Sequence, residues 1–134
     1  MRALLATAAL VGMTLWLWPV MAVAAPLDGS TPILCAVNSV TECEDGGCER
    51  VTAEESKVPP FVRIDVQKKI LSSVDGARTS PITQVVRNGG RLMVQGMQNL
   101  RIWGAVINEQ TGQMSATIGE DDGAFVIVGA CISP

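Results

Sequence analysis

Ile82-Thr83-Gln84-Val85-Val86-Arg87-Asn88-Gly89-Gly90-Arg91-Leu92-Met93-Val94-Gln95 decides the fold class. Two apolar-rich runs flank Arg87-Asn88-Gly89-Gly90, and the Asn-Gly pair there favours a tight turn between antiparallel strands. The same rhythm continues downstream. Strands are predicted over 101–107, 114–118 and 124–131, joined by the loops Asn108-Glu109-Gln110-Thr111-Gly112 and Gly119-Glu120-Asp121-Asp122-Gly123. The last run is apolar on both faces, which predicts a strand covered on both sides.

Upstream the period is two. In Phe61-Val62-Arg63-Ile64-Asp65-Val66, the residues Val62, Ile64 and Val66 share one face, and Phe61, Arg63 and Asp65 the other. Gln67-Lys68-Lys69 turns the chain into a strand over 70–74, and Asp75-Gly76 signals another turn before the strand over 82–86. Ile33-Leu34-Cys35-Ala36-Val37 is the predicted first strand, and 48–51 a second. Between them and Pro59-Pro60, Thr52-Ala53-Glu54-Glu55 has the order of a capping box for one helical turn. The expectation is a mostly β protein: an antiparallel meander of eight to nine short strands, closed as a small barrel, with a sandwich as the alternative. Closure removes the exposed strand edges on which open sheets associate.

The N-terminus reads as an address. Arg2 is the only charge before Asp28, and between them an apolar run leads to Pro19 and then Ala22-Val23-Ala24-Ala25. A positive start, an apolar middle and an A-x-A end make a secretory signal. Cleavage after Ala24 leaves residues 25–134 as a single domain. An uncleaved anchor is the competing reading, since about 20 apolar residues span a bilayer, and the Ala-rich end favours removal. The location implied is periplasmic or secreted. The full chain carries a net charge of −3, and losing Arg2 makes it one unit more negative. Without a basic cluster, nucleic acid is not an expected partner, nor is an anionic membrane once the leader is gone.

Four cysteines, Cys35, Cys43, Cys48 and Cys131, follow the leader, and an even count in a short exported chain points to two disulfides. Glu44-Asp45-Gly46-Gly47 is a turn-forming tetrapeptide, so Cys43–Cys48 is the preferred short bridge. Cys35–Cys131 then joins the first strand to the last. The alternative is Cys35–Cys43 with Cys48–Cys131. Zinc knuckles and redox enzymes both use C-x-x-C spacing, which is missing here.

Catalytic chemistry has little to work with. The chain has no histidine and no tyrosine, which removes Ser-His-Asp and Cys-His arrangements, histidine metal sites and a histidine base. No phosphate-cradling glycine loop or dinucleotide fingerprint occurs. The acidic groups Glu42, Glu44, Asp45 and Glu120, Asp121, Asp122 read as solvated turns, since neither has the alternating spacing of a calcium loop. No metal or cofactor is expected. The candidate binding residues are Arg63 with Asp65 and Arg101 with Trp103, each pair sharing a strand face. Charges turned inward at such positions need partners and would make a polar anchor at the mouth of a cavity; the competing reading is a structural ion pair or an amphipathic outer face. Met93, Met97 and Met114 read as core filler.

Leu34-Cys35-Ala36-Val37, Cys43, Gly47-Cys48 and Pro60-Phe61-Val62-Arg63-Ile64-Asp65 form a pattern with Ser80-Pro81-Ile82, Trp103, Thr111-Gly112-Gln113-Met114 and Gly129-Ala130-Cys131. In these residues the chain resembles a family of small exported bacterial proteins of unassigned function. The resemblance implies export and a common β scaffold, and brings no catalytic residue with it. Periplasmic lysozyme-inhibitor barrels offer a fold-level analogy alone, since their inhibitory loop motif is missing. The function expected is a non-enzymatic periplasmic binding or interaction module, with a protein or a small molecule as its partner. The alternatives are a cofactor-free, carboxylate-based enzyme using residues such as Asp65, and a structural envelope protein.

Overall fold

The computed structural model describes residues 19, 21 and 23–134 of the 134-residue chain. Most of the predicted leader, residues 1–24, lies outside the described residues. The strands are β1 (Ile33–Glu44), β2 (Gly47–Val51), β3 (Phe61–Asp65), β4 (Ile70–Ser73), β5 (Thr79–Asn88), β6 (Arg91–Gln98), β7 (Arg101–Asn108), β8 (Gln113–Gly119) and β9 (Ala124–Ile132). One helical turn, α1 (Ala53–Ser56), lies between β2 and β3. All neighbouring strands pair antiparallel. The sheet runs β2-β1-β3-β4-β5-β6-β7-β8-β9, and β1 also pairs with β9, which closes a barrel of eight strands with β2 as an extra strand. The sandwich alternative is excluded.

β1 is much longer than the strand predicted at 33–37, and the reason is a bulge. Its register against β9 shifts between Val37 and Ser39, so the inward positions run Ile33, Cys35, Val37 and then Val40 instead of keeping a strict period of two. The added length lets one edge of β1 serve two partners. Ile33–Ala36 pairs with β3 and Val40–Glu44 with β2, so β2 and β3 lie end to end. α1 bridges them. Thr52 Oγ1 accepts from Glu55 N at 3.1 Å while the Glu55 carboxylate accepts from Thr52 N at 2.8 Å, the reciprocal capping box.

The β5–β6 turn places Gly89 and Gly90 at φ +58° and +72°, both left-handed, as the tightest hairpins require. Both disulfides join directly opposed residues. Cys35 faces Cys131 and Cys43 faces Cys48, each pair with Cα atoms 4.0 Å apart. The first bridge is buried in the core beside the closure seam, and the second straps β1 to β2.

Cross-strand partners share a face, so the register writes out the interior of the barrel in rows. Leu92, Ile107, Met114 and Gly129 form one row. Val94, Ala105, Ala116, Ile127 and Val40 form the next, and Gly96, Trp103, Ile118, Phe125 and Glu42 the third. The first row is bulky and tightly buried, and the segment around Leu27 seals that end. There Gly29 lies against Val66, where a Cβ would come within 2.9 Å of a methyl carbon, and Thr31 Oγ1 meets Ser133 Oγ at 2.6 Å.

One expectation is corrected. β9 is not covered on both sides: Ile127, Gly129 and Cys131 are buried inward, whereas Val126 and Val128 are 42% and 49% exposed. Burial on both faces needs a second layer outside the sheet, and the barrel wall is a single layer. Ile102 and Val106 of β7 stand on the same outer wall. Among the described residues, no helix is long and apolar enough to cross a membrane.

Candidate functional site: an open barrel interior

Side-chain size decides where the barrel is hollow. Ile107 and Met114 fill the first row, but the positions above them are Ala105 and Ala116, and Gly96 stands in the third. These small residues leave a cavity of about 550 Å³, open at the end away from Leu27. Ile64, Met114 and Ile127 make its floor, and Val62, Leu71, Ala116, Ile118 and Phe125 its walls.

Trp103 shapes one side. A Cβ on Gly96 would lie 2.6 Å from the indole ring and 2.2 Å from the Pro81 carbonyl oxygen, so only glycine lets the ring lie flat over β6. The indole Nε1 donates to Ser80 Oγ at 2.8 Å. Ser73 and Ser80 are the buried polar residues of the described chain. The Ser73 hydroxyl donates to the Asp75 carboxylate and accepts from Arg78 N at 3.0 Å. Each serine is thus engaged within the protein, and the depth of the cavity is otherwise apolar.

The rim is built from three segments: Ser56 to Pro59 at the end of α1, Ala77 to Thr79 at the start of β5, and the β6–β7 turn with Arg101. Lys57 caps α1 in the left-handed region at φ 56°, and its carbonyl accepts from the Arg78 guanidinium, so these two segments are tied together. Arg101 Nε lies 2.8 Å from Glu120 Oε1. The contact is off the line of a hydrogen bond, so this buried carboxylate oxygen is balanced by charge without receiving a donor. Asp75 lies in the turn before Arg78. Hydrogen bonds from Ser73 and the Ala77 backbone, aided by the Arg78 charge, hold its carboxyl below the ordinary aspartate range.

The four candidate binding residues divide. Arg101 and Trp103 both line the cavity. Arg63 and Asp65 stand on the outer face of β3, on the parity opposite Ile64 and away from the cavity. Asp65 caps the β3–β4 turn by accepting from Lys68 N at 2.9 Å and lies 3.8 Å from Lys68 Nζ. The methionines divide as well: Met114 is in the floor, while Met97 is 57% exposed on the outer wall. Among the described residues, no group of three or more His, Cys, Asp or Glu side chains is placed to hold a metal ion. Lys57 and Arg78 are rim residues that the sequence reading does not single out, because each lies in a polar turn without a motif. The inward small residues Ala105 and Ala116 carried a usable signal, since two alanines on the core parity of neighbouring strands predict a void.

Fold and site together define a closed antiparallel β-barrel with an apolar interior open at one end. No protein-family model matches the chain, and no curated protein or solved structure matches it.

Proposed function

We propose that this protein is a non-enzymatic binding module that is exported and holds a small, largely apolar molecule inside its barrel. The observation that carries the proposal is the cavity of about 550 Å³ over a floor of Ile64, Met114 and Ile127. Small-molecule sites typically measure about 300–1,000 Å³, with mostly apolar walls and a few polar groups. A purely structural envelope protein has no use for such a void, which forgoes packing contacts. A carboxylate-based enzyme needs acids converging on the substrate, and the charged residues lining the cavity are Lys57, Arg78 and Arg101. Export is supported by the Arg2-led apolar leader and by two disulfides, which persist in oxidising compartments.

The test is titration with N-phenyl-1-naphthylamine, a neutral dye whose emission rises in apolar surroundings. The oxidised protein, recovered from the periplasmic or culture fraction with Ala25 at its N-terminus, binds the dye saturably at one site. Ala116→Phe fills the middle of the cavity and weakens binding by about tenfold, a loss of ~1.4 kcal/mol. If the wild-type protein gives no saturable signal, or the folded variant binds equally well, the barrel interior is not the site.

A further inference from the structure

Among the described residues, every charged side chain that lines the cavity is a cation, although the chain as a whole is acidic, with thirteen carboxylates against ten bases. Lys57, Arg78 and Arg101 stand at the rim, not in the depth, and the nearby carboxylates are not part of the lining: Glu120 on Arg101, Asp75 within its own turn, and Glu42 at the β1 end of the third row. Among the described residues, neither Lys57 nor Arg78 has a carboxylate at ion-pair distance. They are also held as a pair by the bond from the Arg78 guanidinium to the Lys57 carbonyl. That bond fixes the Arg78 guanidinium against the Lys57 backbone, so both cations belong to one stretch of the rim, where an anion is attracted to each. Below the rim, Ser73 and Ser80 are already engaged with Asp75 and Trp103, so a second polar group on a ligand would meet apolar walls.

From this arrangement we infer that the ligand is an amphiphile with a single anionic head, its apolar body in the barrel and its head on Lys57 and Arg78. The inference rests on the cavity being a binding site, as proposed above, and adds the ligand's charge and orientation. Guanidinium and ammonium groups suit a carboxylate or a phosphate head alike. Arg101 has a different part, because its charge is committed to Glu120.

Calorimetry with decanoate and decyltrimethylammonium below their micelle concentrations, and with decanol below its solubility limit, separates head from body. Decanoate is expected to bind about tenfold more tightly than decanol, and the cationic amphiphile more weakly than either. In the Lys57→Gln/Arg78→Gln double variant, decanoate affinity falls to that of decanol. The preference also shrinks as salt rises from 50 mM to 500 mM. If decanol equals decanoate in the wild-type protein, the anionic head is disproved while the cavity stands. If none of the three binds, the cavity reading falls with it. Should the double variant fail to fold, Lys57→Gln alone, which leaves the Arg78 guanidinium in place, must still narrow the gap. An unchanged gap overturns the assignment.

Discussion

Leu100 occupies a position that suits few side chains. It is 95% exposed and sits at φ +63°, next to Asn99 at +50°, in the two-residue turn between β6 and β7. A left-handed conformation costs a residue with a Cβ about 1–2 kcal/mol, and glycine escapes most of that. The exposed leucine recovers nothing by burial. Leu100→Gly would create the Asn-Gly pair that this turn prefers, against a glycine entropy penalty of about 0.5–1 kcal/mol. The expected outcome is a gain of about 0.5–1 kcal/mol in urea unfolding, with an unchanged denaturant slope. A loss of stability would mean that Leu100 makes a contact in solution that the turn geometry does not provide.

At the scale of elements, the sealed end is held by an ion pair between two hairpins. Arg87, at the end of β5, donates from Nε and Nη2 to the two carboxylate oxygens of Glu109 at 2.5 and 2.7 Å. Glu109 N also donates to the Gly90 carbonyl at 2.9 Å. The hydrogen bonds from the Arg87 guanidinium, more than its charge, hold the Glu109 carboxyl below the usual glutamate range. A carboxylate depressed in the folded state stabilises above its unfolded value, about 4.3. That contribution is lost as pH falls through the lower folded value. Stability is therefore expected to decline on acidification below about pH 4.3, and Glu109→Gln to lower stability at pH 7 while flattening this part of the acid limb. Chemical denaturation at pH 7 and pH 3 checks it, and an equal deficit at both would assign Glu109 a packing role.

Elements were legible in the sequence where the pattern was regular. The Asn-Gly turn, the period of two around Ile64 and the T-x-x-E cap all report local preferences that the barrel keeps. β1 escaped because the bulge at Val37/Ser39 breaks its alternation midway, leaving Asn38-Ser39 to read as a strand end. β5 extends past the expected 82–86 at both ends, because Pro81 sits inside the strand and Arg87-Asn88 continue it up to the two glycines. The outer wall of β9 was misread because Val126 and Val128 are apolar whether or not anything covers them. Within the site, Trp103 and Arg101 were visible as unusual residues on one strand. Lys57 and Arg78 were not, since only the fold brings a helix cap and a β4–β5 turn to the same rim.

For the whole molecule, closure and hollowness pull against each other. A barrel with small residues in its middle row gives up packing that a filled core would have, and the two disulfides offset some of that loss unequally. Cys35–Cys131 spans 96 residues and lies at the seam where β1 meets β9, whereas Cys43–Cys48 closes a loop of 5. By loop entropy alone, the long bridge is worth about 4–5 kcal/mol and the short one about 2. Cys35 and Cys131 are also buried in the core, 0% and 4% exposed, while Cys43 and Cys48 face outward near the barrel end. Cys43→Ser/Cys48→Ser is thus expected to fold with a cost of about 2 kcal/mol, keep the cavity, and bind the naphthylamine dye as the wild-type protein does. Cys35→Ala/Cys131→Ala is expected to lose at least twice as much stability and to weaken dye binding, because the seam opens into the wall of the site. Denaturant unfolding and dye titration on both variants decide the matter. Equal losses, or binding lost with the short bridge and kept without the long one, would show that the closure seam is not what holds the cavity in shape.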